Sequence, residues 1–409
     1  MNKKNKFGQH VYRLPPCPAY DIAGMENWLS DLAEEGLFLT QDGFFAGFAT
    51  FEYKTPQKAK YRLEAAQKKP SMWSDDGGEP DQDQLELSEK YSWEYIAKRG
   101  DFFIYRSLDP SARELNTDPD VQALALNTVK KRKREAMITS IVCLLIYPVL
   151  LTRGCLLLTT ITTGTWWTAL ALLFAVLMIV SEVRAFIHLK KIQKSLTEDG
   201  CYSAEQNWKK KSTTYFFGKF IKIALAIILV CALLRNWGLS ITSENKIPIN
   251  EYSGDIPFAT MLDFAGEGSS EYTQNMTTMG LDFNKLEEKK DWLAPRLFGY
   301  NEEASVRKAD GSLIDGGLYV EYYELRNSSL AKQLVRELYW FDKIQKHFDP
   351  ITTPTLTADY AVAYLDNLHF PRVIIRKENV VVRAYFYQTS QYKIPLEEWA
   401  EIICDSIGE

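Results

Sequence analysis

The sequence predicts an α+β protein in three parts: a cytoplasmic α+β domain, three transmembrane α-helices and an extracytoplasmic α+β domain with an antiparallel sheet. Three observations lead there. Apolar runs over residues 136–151, 166–183 and 215–234 crowd into the middle of a 409-residue chain. The charge divides the same way: 15 Lys and Arg against 21 Asp and Glu over residues 1–129, 16 against 5 over 130–237, and 17 against 27 over 238–409. On both flanks, aromatic and β-branched runs alternate with stretches of helical period. The resulting boundaries are 1–120 for the first domain, 121–135 for a basic juxtamembrane linker, 136–237 for the membrane region and 238–409 for the second domain.

Residues 21–36, DIAGMENWLSDLAEEG, place Met25, Trp28, Leu29 and Leu32 on one helical face, with Gly36 as the stop. Strand-like runs follow: LFLT, then GFFAGFATFEYK, then AKYRLEAA. A second helix is expected over 82–91. A hairpin comes next, WEYIAK turning at Arg99–Asp101 into FFIYRS. Trp28, Phe48, Phe51, Tyr53, Trp93 and Phe103 are read as core rather than a ligand cage. The segment SDDGGEPDQDQ lacks the ligand order of an EF-hand calcium loop and reads as a solvated acidic linker.

The pattern Trp28-Leu29, Leu32-Ala33, Gly36, then FEY, YRLE, Trp93-Glu94-Tyr95 and Tyr105-Arg106-Ser107 resembles the domain of unknown function 2812 family. Leu32 stands where that pattern has Met, and Ser92 where it has Gly. The resemblance covers about residues 10–110. It implies a bacterial protein of Gram-positive type with C-terminal spans, and a regulatory setting beside a PadR-like regulator, a possible cytoplasmic partner. It carries over no catalytic residue.

Residues 109–129 link this domain to the cations Lys130, Lys131, Arg132, Lys133 and Arg134. Alone such a run would fit nucleic acid, but an apolar run begins two residues later and both flanking domains are acidic, so no direct nucleic-acid partner is expected. Spanning a bilayer takes about 20 helical residues. The second and third runs meet that, and the first does so only with GCLLLTT added. Cytoplasmic loops are enriched in Lys and Arg. The run 130–134 and the loop carrying Lys209, Lys210 and Lys211 therefore lie inside, whereas the loop between the first two runs holds only Arg153. Trp166, Trp167 and Trp237 then mark the outer interface. The expected localisation is a multi-pass cell-membrane protein with its N-terminus cytoplasmic, its C-terminus extracytoplasmic and the lipid bilayer as its partner.

In the second domain, RLFGYNEEASVRK and GLYVEYYEL flank the turn ADGS as a hairpin. SSLAKQLVRELYWFDKIQK is a helix capped by Ser328 or Ser329, with Leu330, Leu334, Leu338 and Phe341 on one face. PRVIIRKENVVVRAYFYQ is a second hairpin turning at Lys377–Asn379, and PLEEWAEIICDSI closes the chain as a helix. Asn275 and Asn327 begin three-residue glycosylation matches that a bacterial chain would leave unused.

A search for chemistry returns little. The four histidines are isolated, and HFD at 347–349 has no partner nucleophile in sequence. No HExxH, phosphate loop or nucleophile elbow occurs, and the six cysteines have no zinc spacing. Cys404 reads as a buried thiol. No cofactor, metal site or catalytic residue is assigned, and no enzymatic activity is expected. The expected function is regulatory or sensory, coupling the outer domain to an inner partner-binding domain. The alternative is an accessory subunit of a transporter or envelope assembly.

Overall fold

The computed structural model describes residues 10–45, 47–66, 79–115, 118–199, 208–242, 246–266, 271–275, 282–346, 350–352, 356–365, 369–389 and 394–407. Residues 74–78 of the acidic segment and the HFD run at 347–349 lie outside them. The chain divides into two compact units, residues 1–143 with 173–227, and residues 144–172 with 228–409. Each unit mixes helices with antiparallel sheet, which makes the protein α+β.

The first unit runs β1 (His10–Arg13), α1 (Ile22–Glu34), β2 (Leu37–Phe45), β3 (Phe48–Tyr53), β4 (Lys60–Ala65), α2 (Gln82–Lys90), β5 (Glu94–Arg99), β6 (Phe102–Ser107) and the long α3 (Pro119–Leu151). It builds two three-stranded sheets, β1-β3-β2 and β4-β6-β5. Asp21 caps α1 by accepting from the Gly24 amide at 3.3 Å, and Gly36, at φ +85°, takes the left-handed turn out of it. Ser92, where the resemblance expected Gly, is held at φ +64° before Trp93. Met25, Trp28, Leu29, Phe51 and Ile104 share one core. Phe48 does not join it, being 41% exposed, because its strand alternation turns Ala49 and Phe51 inward instead.

Residues 119–129 are not a free linker. Ala123, Leu126 and Val129 repeat every three residues along α3 and are buried in the same core, so the helix grows directly out of the domain. It meets there Leu189, Ile192 and Leu196 of α5 (Thr165–Asp199).

The second unit contains α4 (Leu156–Thr163), the last turns of α6 (Trp208–Thr242), β7 (Ile247–Pro248), β8 (Glu271–Gln274), β9 (Lys285–Lys289), β10 (Arg296–Arg307), β11 (Leu313–Glu324), α7 (Ser328–Lys346), β12 (Pro350–Thr352), β13 (Tyr360–Leu365), β14 (Pro371–Lys377), β15 (Val380–Gln388) and α8 (Leu396–Asp405). Its nine-stranded sheet is ordered β12-β13-β14-β15-β11-β10-β9-β7, with β8 also on β10. Both expected hairpins form, β10 with β11 and β14 with β15. One face of the sheet packs under Trp399 and Ile403 of α8. The other meets Leu334, Val335 and Leu338 of α7, joined by Leu157 and Ile161 of α4. The cap of α7 is Asn327, whose Oδ1 accepts from Leu330 N at 2.9 Å, rather than either serine. Asn275, the other glycosylation match, donates its amide to Ser305 and Asp315.

Three spans were expected, but among the described residues two helices are long and apolar enough to cross a membrane, Thr165–Glu198 and Ser212–Ala232. The first run falls short for two reasons. Its cations lie in the middle of α3, leaving only residues 136–151 to the apolar half. The stretch GCLLLTT does not extend it, because Arg153 and Gly154, at φ +52° and +87°, end the helix and start α4 as a separate element.

Candidate functional site

Alternate residues of a strand face opposite sides of its sheet, and on the α7 side of the second unit the helix covers only part of the surface. Beyond it lies a row set by register: Arg372 opposite Tyr385, Tyr385 opposite Tyr319, and Tyr319 opposite Asn301. The Arg372 guanidinium lies 4.7 Å from the Tyr385 ring centroid, and Tyr385 stacks on Tyr319 at 4.3 Å, nearly parallel. The neighbouring row is Arg383, Glu321, Gly299 and Glu287. Gly299 leaves a hole in the floor, since a Cβ there would meet nothing within 4 Å. A groove of about 200 Å³ opens over these residues, with Lys246 and Glu287 at its edge.

The charges at the groove are held in a network. Arg383 donates to Glu321 at 3.0 Å and to Asp342 of α7 at 2.5 Å. Tyr364 donates its hydroxyl to Asp342, and Tyr323 donates to Glu321 at 3.2 Å. Burial works against the Arg383 charge, but Glu321 and Asp342 outweigh it and hold the guanidinium firmly protonated. Burial, then the neighbouring Tyr385 and Glu303, push the Tyr319 phenol well above its ordinary range, so it stays a neutral donor. The lining offers guanidinium, phenol, amide and carboxylate groups around an aromatic stack and, among the described residues, contains no Ser, Cys or His. That chemistry suits binding of a small polar ligand.

A second cluster lies in the first unit. Arg62 bridges Glu26 at 2.9 Å and Glu114 at 2.6 Å, and Glu26 also accepts from the Leu63 amide at 2.9 Å. Burial pushes the Glu26 and Glu64 carboxyls up to about 7, whereas hydrogen bonds from Arg62 lower Glu114. Arg62 and Glu64 alternate visibly in YRLE, but Glu26 and Glu114 are remote in sequence and only packing unites them.

The cations expected to mark the membrane divide into two groups. Arg132 pairs with Asp101 at 2.8 Å and donates to the Ala66 carbonyl. Lys133 pairs with Glu182 at 3.5 Å, and Lys130 donates to Gln193. Lys131 and Arg134 are exposed. Lys209 lies 3.8 Å from Asp31, beside Trp208, whose indole donates to the same carboxylate at 3.0 Å. Trp166 is exposed and Trp167 half-buried at the start of α5. The side chains of Lys210, Lys211 and Trp237 lie outside the described residues. Cys404 is fully buried, and burial raises its thiol pKa.

Fold and site together describe an α+β protein of two units, with two helices of membrane-spanning length and apolarity and a polar, aromatic groove on its larger sheet. Residues 21–138 match the family described as "Protein of unknown function (DUF2812)", and this part of the chain belongs to that family. No curated protein and no solved structure matches the chain.

Proposed function

We propose that this is a multi-pass membrane protein of regulatory or sensory type. Its second unit receives a small polar ligand outside the cell, and its first unit binds a cytoplasmic partner, for which the family resemblance points to a PadR-like regulator. The observation that carries this reading is the continuity of α3. Its first turns are core residues of the first unit, its apolar half follows without a break, and the next element, α4, is core of the second unit. A helix rooted in a packed domain can carry displacement and rotation along its own length.

The orientation rests on the Lys and Arg in the stretches of α3, α5 and α6 that belong to the first unit. The outward-facing apolar side chains Ile138, Ile141, Leu145 and Ile146 support α3 as a third, shorter membrane segment. The accessory-subunit reading draws support from the spans themselves, whose most apolar windows are only 6% and 11% buried and remain open to another membrane protein.

Single cysteines at Ala309 and Thr197, both exposed, test the arrangement after Cys143, Cys201 and Cys231 are replaced. The coupling reading expects an impermeant maleimide to label position 309 in intact cells and position 197 only after lysis. Equal labelling of both in intact cells refutes it.

A further inference from the structure

The corner where α3 gives way to α4 holds a cavity to which the sensory reading gives no role. Its cavity, about 680 Å³, is lined by Val149, Leu150 and Arg153 on one side and by Arg336, Glu337 and Trp340 of α7 on the other. The Trp340 indole donates to the Arg153 carbonyl at 3.1 Å, which fixes the ring while half its surface stays exposed. Glu337, the acid in the lining, is turned inward onto the amides of Leu157 and Leu158 at 3.1 and 2.8 Å. Neither Arg153 nor Arg336 has an ion-pair partner among the described residues, Glu337 included.

The apolar wall continues along α3 through exposed Leu145 and Ile146, and Trp166 at the start of α5 is 70% exposed. Two guanidinium groups above an apolar wall, beside an anchored indole, match the order of chemistry in a lipid: phosphate, interface, hydrocarbon. Guanidinium binds phosphate oxygens in a bidentate fork, and Trp favours the headgroup level. A soluble anion would satisfy the arginines but leave the apolar wall wet.

We propose that this corner binds one anionic phospholipid of the bilayer, its phosphate between Arg153 and Arg336 and its acyl chains along Val149 and Leu150. The proposal rests on the reading of α3 as membrane-embedded.

The test uses the full-length protein in nanodiscs of mixed phosphatidylcholine and phosphatidylglycerol, with retained lipids counted by native mass spectrometry. Wild type is expected to retain one phosphatidylglycerol that the Arg153→Gln/Arg336→Gln variant loses and the Arg153→Lys/Arg336→Lys variant partly keeps. Inorganic phosphate should not displace it. Equal retention in wild type and the Gln variant, or displacement by inorganic phosphate, overturns the proposal. An independent readout is Trp emission with brominated phosphatidylglycerol. Quenching should fall in Trp340→Phe relative to wild type, and unchanged quenching counts against the site. Failure of the protein to enter nanodiscs overturns the membrane reading itself, whereas entry without preference for phosphatidylglycerol overturns only the site.

Discussion

Glu337→Ala is the substitution through which the link between α4 and the second unit is best measured. The residue preceding α4, Cys155, makes no side-chain cap, and the Glu337 carboxylate does that work from α7 by accepting from Leu157 and Leu158 at 3.1 and 2.8 Å. Glu337 is 8% exposed and Leu157 7%, so water cannot easily replace the lost acceptor. Loss of a cap costs about 1 kcal/mol, and a buried donor left unpaired about 1–3 kcal/mol. Together these place the cost of docking α4 at about 2–4 kcal/mol. At about 1.4 kcal/mol per tenfold, amides of α4 that exchange through undocking should then exchange roughly 30- to 700-fold faster. Hydrogen exchange on the full chain in detergent reads this peptide by peptide. Glu337→Gln, which keeps an oxygen acceptor, should recover part of the protection. Unchanged α4 exchange in Glu337→Ala, with α7 itself intact, refutes the capping argument and with it the α3–α4 route into the second unit.

Three further outcomes are expected. Ser92→Gly should stabilise the first unit by about 0.5–1 kcal/mol, because a left-handed conformation strains Ser and not Gly; a lowered thermal midpoint would contradict this. Asp342→Ala strips Arg383 and Tyr364 of a buried acceptor and should destabilise the second unit by about 3–5 kcal/mol, visible as a lower midpoint for protease resistance of the sheet. Glu64 has a folded-state pKa raised from 4.5 to about 7, so the folded state binds the proton more tightly than the unfolded chain. Stability of the first unit should fall as pH rises from about 4.5 to 7, and Glu64→Gln should flatten that slope, with its largest gain in melting temperature above pH 7.

Much of the architecture was readable because it is local. The helix 21–36 announces itself by apolar spacing and Gly36, all within one segment. The hairpins β10–β11 and β14–β15 follow from alternation around short turns. The number of spanning helices was less readable, because hydropathy locates an apolar run but not where its helix begins. α3 starts at Pro119, which places the cations in mid-helix and buries its first turns in a domain core.

The site was the least readable part. Arg372, Arg383, Tyr385, Tyr319 and Glu321 come from three strands, and each looks ordinary in its own strand. Strand register alone brings them into two adjacent rows, and Gly299 becomes a floor opening only when the neighbours across the sheet are known. The cations at 130–134 show the same limit. Their composition alone reads as a membrane boundary marker, whereas in the fold Arg132 reaches Asp101 and Lys133 reaches Glu182, so part of the cluster ties elements of the first unit together.

By itself, then, the sequence determined the strongly periodic helices, the two long hairpins, the apolar runs and how charge is distributed among them, because propensity, period and net charge act over a few neighbouring residues. The tertiary structure alone decided that α3 is rooted in one unit and that its expected extension becomes α4 in the other. It also decided which charges neutralise one another and which remain open. Those outcomes depend on contacts between residues tens to hundreds of positions apart, where burial removes water and a single well-placed carboxylate changes the role of its neighbours.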